Sequence, residues 1–546
     1  MLETDRTFSA LSEEYVEVSL HHDPVAATRA GVHDYDEQFP DHSPAGLRAR
    51  AAWLRDIDQR LVASVPWEEL AIGPRVEFAF LRSLIAVERA ALEELRPQSS
   101  NPALAPAVAL EGIYLLATRP FAPLAERKEA LLARLMAIPA YLEGARRGLE
   151  KVSAPGLDAA HALDLGGPSY VDQVVRDLRR SFPGEAERIE HAGARARVGF
   201  LQYQEQLDQE LRGKGEAPFA CGERWLNQLI ERRHLLSMDS TYIESDARQR
   251  MEELERELEQ EAARLDASKP WREQIDDARQ QHPEPLRLRE AYEAEVARAL
   301  HFVKEQTGFT IPPGGLAILD TPDHMRPVLP FAGHDLPSPL ETDHTGFLLV
   351  TPVDLGPYGD ALDQALAGHN DVAISMLVAR ETWPGRHLQA CAAMVEGSRL
   401  RHLAASPLTR DGWALEAQQL MLDAGFFLDP RARLFVLRDR LEAAVGAFID
   451  VGIHARAMTL EQAEGLLIER ADSIPAQAHS IVRKTALEPS GALCALVGSE
   501  LIGELREEWR RGMRAFDAAL FNGELLRIGM LPLFLVREEL KERLPI

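Results

Sequence analysis

Apolar residues recur at spacings of three and four over most of this chain, a period that fits α-helix and little else. In 126–148, Leu131, Leu132, Leu135, Ile138 and Leu142 share one face, and Pro139 predicts a kink or a break there. In 245–267, Met251, Leu254, Leu258, Ala262 and Leu265 form one narrow apolar seam between charged residues. That pattern predicts a long solvent-facing helix, packed as an antiparallel hairpin inside one domain rather than as a dimerising coiled coil. From Thr310 to Asp360 the pattern changes. Prolines and glycines punctuate short β-like runs, Leu316–Leu319 and Phe347–Val350, and predict a small sheet inserted at about 310–360. The reading is a mainly α protein with a small β insertion. No linker or internal repeat divides it, so 1–546 is expected to be one large helical domain, with two lobes as the variant.

Composition limits the function classes. With 61 Lys and Arg against 86 Asp and Glu, the formal net charge is −25. That opposes nucleic acid and anionic membranes as partners, since both require a basic face. Cys221, Cys391 and Cys494 are far apart and form no CxxC pair. Together with an N-terminus that lacks a basic and then apolar leader, they lead to the expectation of a cytoplasmic protein. The most apolar window, 103–117, is too short to span a bilayer and carries Glu111.

The chemistry concentrates in the helices of 365–470. Residues 379–387 read Ala-Arg-Glu-Thr-Trp-Pro-Gly-Arg-His, so a helix reaching Arg380 and Glu381 should be interrupted at Pro384-Gly385 and resume. Asp411-Gly412-Trp413-Ala414 and Asp450-Val451-Gly452-Ile453-His454 lie downstream. These segments resemble the bacterial domain-of-unknown-function 885 family, whose typical motif is His-Glu-x-x-Pro-Gly-His-His-Leu-Gln, then Glu-Gly-Trp-Ala-x-Tyr-x-Glu and Asp-x-Gly-x-His. Further matches run nearly end to end: Gly31–Asp36, Ser43-Pro44, Arg134–Pro139, Gln462-Ala463, Pro489–Leu493 and Leu531-Pro532. The resemblance implies a large helical fold similar to zinc metallopeptidases.

The chain departs from that motif at the positions that matter for metal chemistry. Arg380 and Arg386 stand where the family has histidine, Asp411 and Glu416 where it has Glu and Tyr, and Gln418 where it has Glu. Ala495 replaces a Tyr of the later Gly-x-x-x-Tyr-x-x-Gly pattern, whereas Glu381, His387, Asp450 and His454 are kept. A guanidinium has no lone pair for zinc and stays charged, so no metal ligand is assigned. No cofactor is expected, zinc being the one the resemblance leaves open.

A guanidinium does suit a carboxylate or phosphate. The leading reading is a metal-independent enzyme acting on an anionic small molecule, a modified amino acid or a peptide. Glu381, His387 and His454 are its candidate catalytic groups, with Glu381 as acid/base. Arg380, Arg386, Asp411, Trp413, Glu416 and Asp450 are its candidate ligand contacts. The alternatives are a pseudoenzyme that binds without turnover, its arginines paired with Glu381, Asp411, Glu416 or Asp450, and a zinc peptidase or amidohydrolase with altered ligands. Cys391, one turn after His387, reads as a buried core thiol rather than a nucleophile. Arg399-Leu400-Arg401-His402 reads as a solvated basic face. Walker, GxGxxG and GxSxG motifs are absent from the sequence.

Overall fold

A computed structural model describes residues 3–210, 217–353 and 360–546. It is mainly helical with one small sheet. Two compact units divide the chain. The first holds the residues up to Phe219 with Pro322–Pro327 and Ser338–Asp343, and the second holds Ala220–Thr321, Val328–Pro337 and His344–Ile546.

The first unit is built on helices Leu104–Thr118, Leu124–Arg146, Ala154–Ser181 and Ala186–Glu210, whose leucines, isoleucines and aromatics make one core. The apolar window near 103–117 is the buried helix of this core, and among the described residues no helix is long and apolar enough to cross a membrane. Leu124–Arg146 runs through Pro139 without a break. A proline costs a helix one N–H bond, and burial of Leu131, Leu135, Ile138 and Leu142 along that face offsets the loss. Arg134 is fully buried and donates to the Gly112 and Pro24 carbonyls and the Thr28 hydroxyl, at 2.9, 3.2 and 2.7 Å. It pins helices Leu104–Thr118 and Leu124–Arg146 to the short helix Pro24–Ala30.

In the second unit the nearly enclosed helix Ala432–Ala455 is central. Helix Ser240–Asp266, capped by the Asp239 side chain on the Tyr242 N–H, lays Met251, Leu254, Leu258 and Ala262 against it. Burial of each larger side chain there contributes about 2 kcal/mol. The seam is thus covered within the unit, but by a helix distant in sequence rather than by a hairpin neighbour.

The β insertion forms within its expected bounds, except that 354–359 lie outside the described residues. Strands β1 (Leu316–Asp320), β2 (Ala332–Asp335) and β3 (Gly346–Val350) lie in the order β1-β3-β2, with β1 parallel and β2 antiparallel to β3. The continuous apolar run of β3 is buried on both faces, as expected of a central strand.

One close approach shapes the motif region. A side-chain carbon at Gly412 would lie 2.3 Å from the Gly498 carbonyl carbon, so helices Pro407–Asp423 and Cys494–Gly512 touch backbone to backbone there. The run around Arg401 is not the solvated face expected. Arg401 is buried and pairs with buried Glu539 at 2.8 Å.

Candidate functional site

Helix Asp371–Glu381 begins with an Asn370 side-chain cap and ends at Thr382, whose hydroxyl bonds back to the Val378 carbonyl. The chain turns through 382–385 and re-enters helix at Arg386–Ala393. A side-chain carbon at Gly385 would fall 1.9 Å from the Arg380 carbonyl oxygen, so only glycine allows this turn. The fully buried Trp413 donates its indole N–H to the Pro384 carbonyl at 2.9 Å and props the turn from the next helix. It packs edge-on to Phe309.

The turn gathers Arg380, Glu381 and Arg386, and helix Pro407–Asp423 brings Asp411. Arg386 Nη1 and Arg380 Nε donate to one oxygen of Glu381, the latter at 3.1 Å. Arg386 Nη2 donates to Asp411 at 2.9 Å, and Arg410 grips both Asp411 oxygens at 3.0 Å. Three guanidinium groups therefore surround two carboxylates, for a net charge of +1. Burial raises the pKa of Glu381, but the charges of Arg386 and Arg380 more than offset it and hold the carboxyl at about 2. Asp411 is likewise held below its ordinary value, burial being overcome by Arg410 and Arg386. The conjugate base of so strong an acid takes up protons poorly at neutral pH.

His387 lies beside this network, fully buried. His334 Nε2, from β2, is 3.3 Å from its Nδ1, Cys391 Sγ is 3.7 Å from its Nε2, and Trp383 packs edge-on at 4.7 Å. Burial, aided by His334, lowers its pKa to about 3, so the ring is neutral. Burial also raises the Cys391 thiol to about 12, which leaves it a core thiol rather than a nucleophile.

The remaining candidates stand apart from this cluster. Glu416 is five residues beyond Asp411, which turns it about 140° round the helix. It is buried against Arg440, Arg506 and Ser499, at 2.9, 2.7 and 2.8 Å. Asp450 accepts the backbone N–H groups of Ser490 and Leu493, both at 3.1 Å. Burial lifts its pKa to about 7 against those bonds. His454 accepts the Cys221 N–H at Nδ1, so Nε2 carries the proton and donates to the Thr485 carbonyl at 2.8 Å. Both ring nitrogens and both Asp450 oxygens are thereby bonded to backbone groups.

Zinc does not fit this donor set. Two positions where the resemblance implies histidine hold guanidinium groups, both engaged with Glu381. Among the described residues, no three His, Cys, Asp or Glu side chains are placed to hold a metal ion together. Sequence reasoning missed Arg410 and His334. Arg410 is adjacent to Asp411 and was available as a partner. His334 comes from a strand 53 residues before His387, and no local pattern announces it.

The family model for bacterial proteins of unknown function, DUF885, matches residues 24–540. The chain belongs to that family. No curated protein matches it. Two solved structures share its fold. One is a Colwellia psychrerythraea protein described as a lipoprotein, 16% identical, with a TM-score of 0.84 and 100% of this chain and 99% of that one covered. The other, from Shewanella oneidensis, is described as a lipoprotein of unknown function, 20% identical, with a TM-score of 0.79 and 98% and 99% covered.

The cytoplasmic expectation is corrected, since both solved structures that share this fold are described as lipoproteins. The cysteine argument failed for a physical reason. Cys391 and Cys494 are buried and all three thiols are free, and shielded thiols of this kind do not report the redox state of a compartment.

Proposed function

We propose that this chain is a binding protein for a small anionic molecule or peptide, on a metallopeptidase-like scaffold whose motif residues no longer perform turnover. The observation that carries this reading is the double grip of Arg386 and Arg380 on Glu381, which removes the base that either a zinc or a metal-free hydrolysis would use. Turnover through Glu381 would require a ligand to pull Arg386 off the carboxylate first. Arg380 and Arg410 are the more exposed cations of the network, at 30% and 31%, against 5% for Glu381. Their free N–H groups suit a carboxylate or phosphate. The lipoprotein description of both fold relatives supports a working place outside the cytoplasm.

The test is calorimetric titration with inorganic phosphate, citrate and an acetylated dipeptide ending in aspartate, with mass spectrometry of the recovered probes. At least one probe should bind, emerge unchanged, and lose about tenfold in affinity with Arg380→Gln or Arg410→Gln. Cleavage of the dipeptide that is abolished by Glu381→Gln would replace this reading with the enzymatic one.

A further inference from the structure

The segment Gly31–Asp36, one of the stretches that resemble the family, takes no part in the cluster around Glu381. It lies in the first unit together with Ser338–Asp343, which falls between β2 and β3 in the chain. Gly31 has a φ of 94°, and a side-chain carbon there would lie 2.7 Å from the Glu341 backbone nitrogen, so the two backbones touch and only glycine fits. The Leu340 N–H donates to the Ala30 carbonyl at 2.8 Å.

This contact brings Glu341 to the His33 ring. His33 stacks on Phe121, with ring centres 3.6 Å apart and planes at 13°. Its Nδ1 is 3.0 Å from Asp36 Oδ2, and its Nε2 is 3.8 Å from Glu341 Oε1. Asp36 is fixed from behind, because the Thr28 hydroxyl donates to Oδ1 at 2.6 Å and the buried Arg134 donates to Thr28. His33 Nε2 and Glu341 Oε1 are both buried and have no hydrogen-bond partner among the described residues. A neutral imidazole has one proton for two nitrogens, so whichever nitrogen holds it, the other turns a lone pair toward a carboxylate. The imidazolium offers a proton to each, and a shift of about 1 Å closes the gap to Glu341 to a hydrogen bond. The charged groups of the neighbouring elements are engaged elsewhere. Arg127 and Arg134 donate to backbone carbonyls and Thr28, and Arg29 pairs with Glu111. Asp34 and Asp343 are exposed on the two segments themselves.

We infer that His33 is a proton-operated clasp for the connection between β2 and β3. With a proton on each nitrogen, the ring bridges Asp36 and Glu341 and fastens Ser338–Asp343 on the turn at Gly31. Release of the Nε2 proton to water leaves two facing acceptors, and the Glu341 carboxylate turns out to solvent. The seating of this connection therefore depends on pH, independently of anion binding around Glu381.

The test is hydrogen exchange of the full chain, read by mass spectrometry at pH 5.5 and pH 8.5, which span ordinary histidine titration, and corrected for the intrinsic amide rate. Protection over 338–343, taken relative to helix Leu124–Arg146, should be about tenfold greater at pH 5.5. Glu341→Gln should keep the protection at both pH values, since its amide can donate to a neutral Nε2 or accept from the imidazolium. His33→Phe retains an aromatic ring against Phe121 and should show the lower protection at both. Melting curves confirm that each variant is folded. Equal protection of the parent chain at the two pH values, or a pH dependence that survives in folded His33→Phe or Glu341→Gln protein, would overturn the inference.

Discussion

Arg386→Gln removes the cation that joins Glu381 to Asp411. Glu381 is almost fully buried, and its carboxyl is held at about 2 against an ordinary 4.5. At about 1.4 kcal/mol per tenfold, that difference corresponds to roughly 3 kcal/mol favouring the folded, ionised state. Arg386 supplies more of it than Arg380 does. The substitution should therefore cost on the order of 2 kcal/mol at pH 7, while Asp411 keeps its bidentate Arg410. The sign with pH comes from linkage. A depressed carboxyl pKa gives stability that is fully present above about 4.5 and lost as pH falls through about 2. In the variant, burial acts against less opposing charge and Glu381 takes up its proton at higher pH. The difference between the proteins should be largest at neutral pH and shrink below about pH 4.5. Urea unfolding monitored by tryptophan fluorescence at pH 7 and pH 4 reads this, and hydrogen exchange over 371–393 isolates the local effect from the rest of a two-unit chain. Adding Glu381→Gln to the variant should restore part of the loss, because the unpaired buried charge is gone. Equal stability at pH 7, or a loss independent of pH, would refute the electrostatic account.

Asp164 is buried with neither carboxylate oxygen hydrogen-bonded among the described residues, and burial, aided by Asp208, raises its pKa to about 8. A raised carboxyl pKa takes stability away as pH rises from about 4 to about 8, so Asp164→Asn should stabilise the fold by a few kcal/mol at pH 8 and leave it unchanged at pH 4 in urea titrations. Gly412→Ala drives a methyl group into the Gly498 backbone and should cost about 1–3 kcal/mol, seen as a lower melting temperature. A melting temperature equal to the parent's would mean that the two helices are not in backbone contact.

What the sequence disclosed of this molecule depends on the range of each signal. Helical periodicity is local, so the helices and strands β1 and β3 could be read directly, and the turn at Pro384-Gly385 lies where its residues require. Arg380, Glu381 and Arg386 come together because that turn is contiguous. Asp411 and Glu416 part because five residues on a helix do not share a face, a consequence available from the spacing alone. The contacts of Asp450 and His454 were not legible. Their partners are backbone groups at Ser490, Leu493, Thr485 and Cys221, and no residue type marks a backbone bond in advance. Arg401 was misread for a related reason, since its partner Glu539 lies 138 residues away.

The proposed function has the arginines closing the motif to metal, and the zinc content of the protein tests this most directly. The parent chain, equilibrated with zinc and freed of excess by gel filtration, should carry none bound at this site by mass spectrometry. The double variant Arg380→His with Arg386→His should carry about one zinc per chain, lost again with Asp411→Ala. One zinc per parent chain, removed by Glu381→Gln or Asp411→Ala, would contradict the account.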